Sequence, residues 1–278
     1  MSVQAILKDT VSLKSAMILG SESDCKRLVL KYEDILNSLA LKRRDYDSFA
    51  QGLPEDCLAK LLIPEDVPEK LYAKKSKGDG NCLYNSASLV IYGSDTLAPI
   101  LRLLVAGELF LNAKYYATHP RFSTLSGKTT FHPGSLFAVS LSCDHHDLRQ
   151  RENVIRKEAI ETCRQGKWAA LVQIMALASV SRRPVFSVYP LASKALRPLL
   201  HGKIFPRESV QLRYPAPTDR TVYIMFSRDS SLSSIPGVGF NPNHFVPLFP
   251  AEDKPRDKQY SFDEKDFPPL TNMCKCKL

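Results

Sequence analysis

The run Gly78-Asp79-Gly80-Asn81-Cys82-Leu83-Tyr84 sets a cysteine where a glycine-containing turn enters an apolar helical stretch. That placement suits a nucleophile. A catalytic cysteine attacks as the thiolate, and the unpaired N–H groups and dipole at a helix N-terminus favour negative charge. Gly78 and Gly80 let the preceding backbone bend tightly and turn N–H groups toward an incoming carbonyl. The same loop is a candidate oxyanion hole, with Gly80 and Asn81 in it, Asn81 as a side-chain donor. Asp79 is a candidate brace for the loop through its carboxylate.

A thiol nucleophile needs a base, and histidine titrates near neutrality. The candidates are His119, His132, His145, His146, His201 and His244. His244 opens an apolar segment, Asn243-His244-Phe245-Val246-Pro247-Leu248-Phe249, which places it on rigid scaffold at a sheet edge. An early nucleophile with a late base is a workable order. Each residue alone has a plainer explanation: a lone buried cysteine is usually an inert small hydrophobe, and a histidine at a strand start is usually a satisfied polar group. The combination argues for chemistry. His145-His146 has no further ligand at helical spacing and reads as an exposed loop. Cys274-Lys275-Cys276 is too short for a zinc site. Gly78-Asp79-Gly80 lacks the Gly-Lys-Ser/Thr ending of a phosphate loop. No metal and no cofactor is expected. Trp168 reads as core or interface.

The elements that must position these residues follow from apolar spacing. Residues 3–20 and 22–40 read as helices, the second with a stripe of Leu28, Leu30, Tyr32, Ile35, Leu36 and Leu39 and with Ser21 or Ser23 at its cap. Residues 41–77, punctuated by Pro54, Pro64 and Pro68, read as an irregular lead-in. A helix starts at Cys82 and stops at Gly93. Further helices are expected over 96–117, 148–165 and 168–181, with a polar loop over 118–147. Strands are expected over 184–190, 221–226 and 243–249, the last two joined by a Ser/Gly/Pro-rich loop. Helices first and strands last argue for an α+β fold, a small central sheet flanked by helices. The expected division is a helical extension over 1–63, a catalytic domain over 64–250 and a disordered tail over 251–278.

Composition bounds the reading. The chain has 278 residues, 44% of them hydrophobic, enough for a substantial core. No apolar run is long enough to span a bilayer, and the first residues do not read as a secretory signal. Seven cysteines at scattered spacings do not form a disulfide framework, which fits a reducing compartment, cytoplasm or nucleus. The net charge is +9. Its densest clusters, Lys42-Arg43-Arg44 and Lys74-Lys75-Ser76-Lys77, are short and not interleaved with aromatics. A solvated basic surface is the favoured reading, and a nucleic-acid partner stays open. A monomer is expected.

At the residues already named, the chain resembles the ovarian-tumour (OTU) family of cysteine proteases. Gly78–Tyr84 is similar to that family's Asp-Gly-Asn-Cys-Leu-aromatic signature, and His244–Leu248 to its histidine-bearing strand. The resemblance implies a papain-like OTU fold and an isopeptidase acting on ubiquitin or polyubiquitin chains. It implies Cys82 as nucleophile, His244 as base and Asp79 as a loop or oxyanion-hole residue. Two positions depart from the pattern. Asn85 stands where many members have arginine or another polar residue. Val246 stands where many have asparagine or aspartate to orient the histidine ring. The orienting group must come from elsewhere, with Asn243, Asn241 and Asp79 as candidates. A second, weaker resemblance, through Pro64–Pro68, Ala178–Val180 and Ser187–Pro190, is to the N-terminal OTU-like region of vertnin. It implies that domains of this kind also persist as non-catalytic modules. The alternative function is therefore a catalytically weak or inactive OTU-like module that binds ubiquitin, chromatin or nucleic acid.

Overall fold

Apolar residues at helical spacing shape the N-terminal third. Helix α1 (Val3–Ile18) is capped by Ser2, whose hydroxyl accepts from the Ala5 N–H at 3.3 Å. Helix α2 (Glu22–Ala40) buries Cys25, Val29, Tyr32 and Leu36, a clean three-and-four spacing. Leu30, expected in that stripe, is instead 53% exposed, because the face that meets α1 runs through Val29, one residue away. Leu28 and Ile35 flank the stripe, and the side chain of Leu39 lies outside the described residues. The computed structural model describes residues 2–40, 46–121, 148–191, 197–207, 221–228 and 242–251.

The lead-in is more regular than its prolines suggest. It holds α3 (Tyr46–Gly52), α4 (Cys57–Lys60) and a short edge strand β1 (Leu71–Ala73). Asp56 caps α4 by accepting from the Ala59 N–H at 2.9 Å. Helix α5 (Cys82–Tyr92) ends at Gly93, whose φ of 71° is the left-handed stop that glycine provides. The expected helix over 96–117 is broken into a 3-10 turn (Asp95–Leu97), α6 (Ala98–Leu111) and α7 (Ala113–Ala117). Helix α8 (Leu148–Thr162) follows. Helix α9 (Leu171–Ser181) starts three residues later than its apolar pattern suggests, with the Gln173 side chain accepting from the Ala170 N–H at 2.8 Å. The chain then runs through β2 (Val185–Val188), α10 (Arg197–Leu200), β3 (Gly202–Ile204), β4 (Val222–Ser227) and β5 (His244–Pro250).

The described strands form one mixed sheet in the order β1-β5-β4-β2-β3, with β2 and β4 parallel and the other pairs antiparallel. Strand alternation gives the sheet two apolar faces. Val222, Ile224, Phe226, Phe245 and Phe249 point into a large core built with α1, α2, α5, α6, α8 and α9. Tyr223, Met225, Val246 and Leu248 point the other way, where Ala59 of α4 and the segment around Ile63 cover them. The architecture is α+β, a small sheet flanked by helices. The N-terminal helices pack into the same core as α5 and α6 and do not form a core of their own. The tail beyond residue 251, most of the 118–147 loop and most of the loop before β5 lie outside the described residues.

Candidate active site

Cys82 is the first residue of α5, and Asn81 before it makes no side-chain cap. The helix N-terminus therefore presents its N–H groups and its dipole at the sulfur without a competing side chain. On the opposite wall, β5 begins at His244, which is buried at 6% exposure. Cys82 and His244 line one cavity with Trp168, Ala169, Phe226, Pro242, Asn243 and Phe245. Its volume is about 20 Å³, room for about one water molecule. Trp168, expected in the core or at an interface, is not in the core: it is 58% exposed at the rim of this cavity, in the irregular segment 167–170 before α9 begins.

Burial dominates the electrostatics of Cys82 and pushes its thiol above the ordinary value. Backbone hydrogen bonds from Phe245, Leu83 and Cys82 itself pull the other way, and the Asp79 charge adds to the upward push. The strand that carries His244 thus also places a backbone group against the sulfur.

The loop before Cys82 is braced from three sides. Asp79 Oδ1 accepts from the Asn81 backbone N–H at 2.9 Å and from Asn85 Nδ2 at 2.9 Å. Asn85 Nδ2 also donates to the Lys77 carbonyl at 3.3 Å, so Asn85 clamps both limbs of the loop. Asn81 Nδ2 lies 3.5 Å from the Asp79 carbonyl. Gly80 has φ 75° and lies so close to Gly166 that a Cβ there would stand 2.5 Å from the Gly166 Cα and carbonyl oxygen. Arg102 of α6 reaches under the loop. Its Nη2 donates to the carbonyls of Gly80 at 2.8 Å and Lys167 at 3.0 Å, and its Nη1 to those of Thr162 at 3.1 Å and Arg164 at 3.0 Å. Its guanidinium stacks 4.4 Å from the centre of the Tyr84 ring. The cysteine loop and the segment leading to Trp168 are held by one side chain.

The His244 ring meets a residue that sequence reasoning missed. Its Nε2 lies 3.1 Å from Ser76 Oγ, and Ser76 Oγ donates to the Phe245 carbonyl at 2.6 Å. Ser86 Oγ donates to the same carbonyl at 3.0 Å. Of the expected orienting candidates, Asp79 is engaged with Asn81 and Asn85, Asn243 lines the cavity beside His244, and Asn241 lies outside the described residues. Val246 is fully buried in the apolar cluster with Ala73 and Leu248. No motif signals Ser76; the only available sign is that it follows an edge strand pairing with the histidine strand. His119 and His201 sit elsewhere, with Nδ1 accepting from the backbone N–H of Arg121 and of Tyr189, each at 3.2 Å. His132, His145 and His146 lie outside the described residues. Among the described residues no cluster of three or more His, Cys, Asp or Glu is arranged to hold a metal ion.

The chain is 26% identical to vertnin of Danio rerio over 230 residues, 82% of this chain and 32% of that protein. It is 26% identical to vertnin of Bos taurus over 238 residues and 24% identical to vertnin of Homo sapiens over 239. The chain spans about a third of the length of these relatives. Among solved structures it is similar to the OTUD1 OTU domain, with 17% identity, TM-score 0.28 and coverage of 64% of this chain and 85% of that one. It is also similar to the viral OTU domain protease from Farallon virus, with 13% identity, TM-score 0.32 and coverage of 68% and 98%. Membership rests on the sequence match and not on those superpositions. The model for the OTU domain of vertnin matches residues 73–227, a span that contains the Cys82 loop and stops before β5. With more than half of its length in that match, the chain belongs to the vertnin OTU-domain family.

Proposed function

We propose that the domain is a cysteine-dependent isopeptidase that removes ubiquitin or a ubiquitin-like modifier from lysine side chains. The observation that carries this reading is the facing of Cys82, at a helix N-terminus, and His244, at a strand start, across one small cavity. In the proposed reaction the thiol proton moves to His244 as the sulfur attacks the isopeptide carbonyl carbon. The oxyanion that forms is met by the N–H groups of Gly80 and Cys82, since the Asn81 N–H is already held by Asp79. The C–N bond then breaks, and the lysine amine leaves with the proton from His244. Water, deprotonated by the same ring, attacks the thioester carbonyl and releases the ubiquitin carboxylate and the free thiol. The proposed catalytic unit is residues 64–250, with residues 1–63 as an extension, in the cytoplasm or nucleus.

The test is incubation with ubiquitin carrying a C-terminal alkyne or vinyl electrophile. A covalent adduct at Cys82, lost in Cys82→Ala and in His244→Ala, is expected. No adduct with the unmutated chain, or an equal adduct with Cys82→Ala, overturns the reading.

Two observations favour a second reading, a ubiquitin-binding module without turnover. The cavity has room for only about one water molecule, and burial raises the Cys82 thiol, both of which oppose attack on a bulky substrate. Saturable ubiquitin binding with no adduct is its signature. Salt-sensitive DNA binding would support a chromatin-associated form of it, given the net charge of +9.

A further inference from the structure

We infer that Ser76 is the positioning residue for His244, holding the ring in the tautomer with its proton on Nε2 and its lone pair on Nδ1. The inference rests on the reading of His244 as the base for Cys82. It answers which group orients the ring in a chain that has Val246 on the histidine strand.

Register brings Ser76 there. β1 pairs with β5 as Leu71↔Pro250, Tyr72↔Phe249 and Ala73↔Leu248. The pairing continues past the strand end, with the Lys74 N–H donating to the Pro247 carbonyl at 3.1 Å. Two residues further, Ser76 stands opposite Phe245, next to His244 in the chain. Its half-buried hydroxyl then touches two groups, the Phe245 carbonyl at 2.6 Å and His244 Nε2 at 3.1 Å.

Those two contacts decide the proton positions. A serine hydroxyl has one proton and two lone pairs, and a carbonyl oxygen has no proton to give. The hydroxyl proton therefore lies along the 2.6 Å contact to Phe245. What Ser76 offers His244 is an oxygen lone pair, so Nε2 is the donor. A neutral imidazole carries one N–H, which leaves the lone pair on Nδ1. The arrangement also survives turnover. When Nδ1 takes a proton the ring donates from both nitrogens, and the Ser76 oxygen still accepts from Nε2. Ser76 thus does for the ring what an asparagine or aspartate on the histidine strand would do, from the neighbouring strand and without adding a negative charge.

Replacement of Ser76 is a clean test, because the Phe245 carbonyl keeps its bond from Ser86. The measurements are steady-state hydrolysis of ubiquitin with a fluorogenic C-terminal amide, and ¹⁵N imidazole spectra of the full chain, with the His244 signals assigned by their loss in His244→Gln. For the unmutated protein the spectra should show a protonated Nε2 and an unprotonated Nδ1 above the ring's titration. Ser76→Ala should mix the two tautomers and lower kcat about 10- to 100-fold with KM changed less than about twofold. Ser76→Thr, which keeps the hydroxyl, should restore both readouts. A proton on Nδ1 in the unmutated protein overturns the inference, as does a Ser76→Ala variant with unchanged kcat and unchanged spectra. The spectra need no turnover. If the unmutated protein hydrolyses nothing yet shows the Nε2–H tautomer and loses it in Ser76→Ala, the positioning stands and the isopeptidase reading fails. If it hydrolyses ubiquitin while Ser76→Ala changes neither readout, the isopeptidase reading stands and the positioning fails.

Discussion

The guanidinium of Arg102 donates to the carbonyl of Gly80 at 2.8 Å while its other donors hold the carbonyls of Thr162, Arg164 and Lys167. The side chain is 1% exposed. A helix interior thereby supports the cysteine loop on one side and the Trp168 segment on the other. Arg102→Met keeps much of the volume but leaves four carbonyls without that donor. It should destabilise the domain by about 3–5 kcal/mol. Hydrogen exchange should rise in residues 78–82 and 162–168 ahead of the sheet. Urea unfolding with exchange mass spectrometry checks this, and uniform exchange changes across the domain would contradict it.

The glycine pair separates backbone conformation from close packing. Gly80 and Gly166 both have φ in the left-handed region, 75° and 73°. A Cβ on Gly80 meets Gly166 backbone at 2.5 Å, whereas a Cβ on Gly166 meets nothing closer than the Asp79 carbonyl at 3.8 Å. Gly166→Ala should cost about 1 kcal/mol. Gly80→Ala should cost about 3 kcal/mol or more and abolish the reaction of Cys82 with ubiquitin electrophiles. Equal losses from the two substitutions would show that the close approach does not matter.

Burial raises the Cys82 thiol above its ordinary value of 9.0, so without its base the cysteine should be a poor nucleophile at neutral pH. In His244→Ala the iodoacetamide reaction of Cys82 should climb about tenfold per pH unit from pH 7 to 9, with no plateau. In the unmutated chain a plateau below pH 8 is expected from transfer of the proton to His244. Mass spectrometry of the Cys82 peptide measures both, and a neutral-pH plateau in His244→Ala would refute the assignment of the base.

Asp9 joins α1 to α2, its Oδ2 accepting from Lys31 Nζ at 2.5 Å and from Tyr32 OH at 2.9 Å. The hydrogen bond from Lys31 is the largest influence holding its carboxyl below the ordinary 3.8. A depressed carboxyl adds stability above its unfolded value, and that stability is lost as pH falls through the folded value. Asp9→Asn should lower Tm by about 2 °C at pH 7. The difference should shrink below about pH 4. Thermal unfolding at pH 7 and pH 3.5 checks it, and a difference that grows at acid pH would reverse the sign.

Much of the site was legible because its signals are local. A glycine turn followed by an apolar helical run places Cys82 at a helix start whatever surrounds it, and the aromatic and apolar run after His244 makes a strand. The brace from Asp79 to Asn81 spans two residues and follows from asparagine and aspartate turn chemistry. The helices α1, α2 and α8 also follow from their own periodicity. Leu30 marks where local spacing is not enough, since it offers more than one apolar face and packing selects among them.

What the amino-acid sequence determined by itself was the place of Cys82 at a helix start, its loop, the strand of His244 and the α+β order of elements. Tertiary structure alone decided what the His244 ring meets and how the loop is supported. Ser76 meets His244 across 168 positions and Arg102 meets Lys167 across 65. Neither contact has a local pattern, because strand register and helix packing set them through the burial of many residues at once. A three-residue edge strand, β1, is too short to announce itself, yet its register carries Ser76 to the histidine.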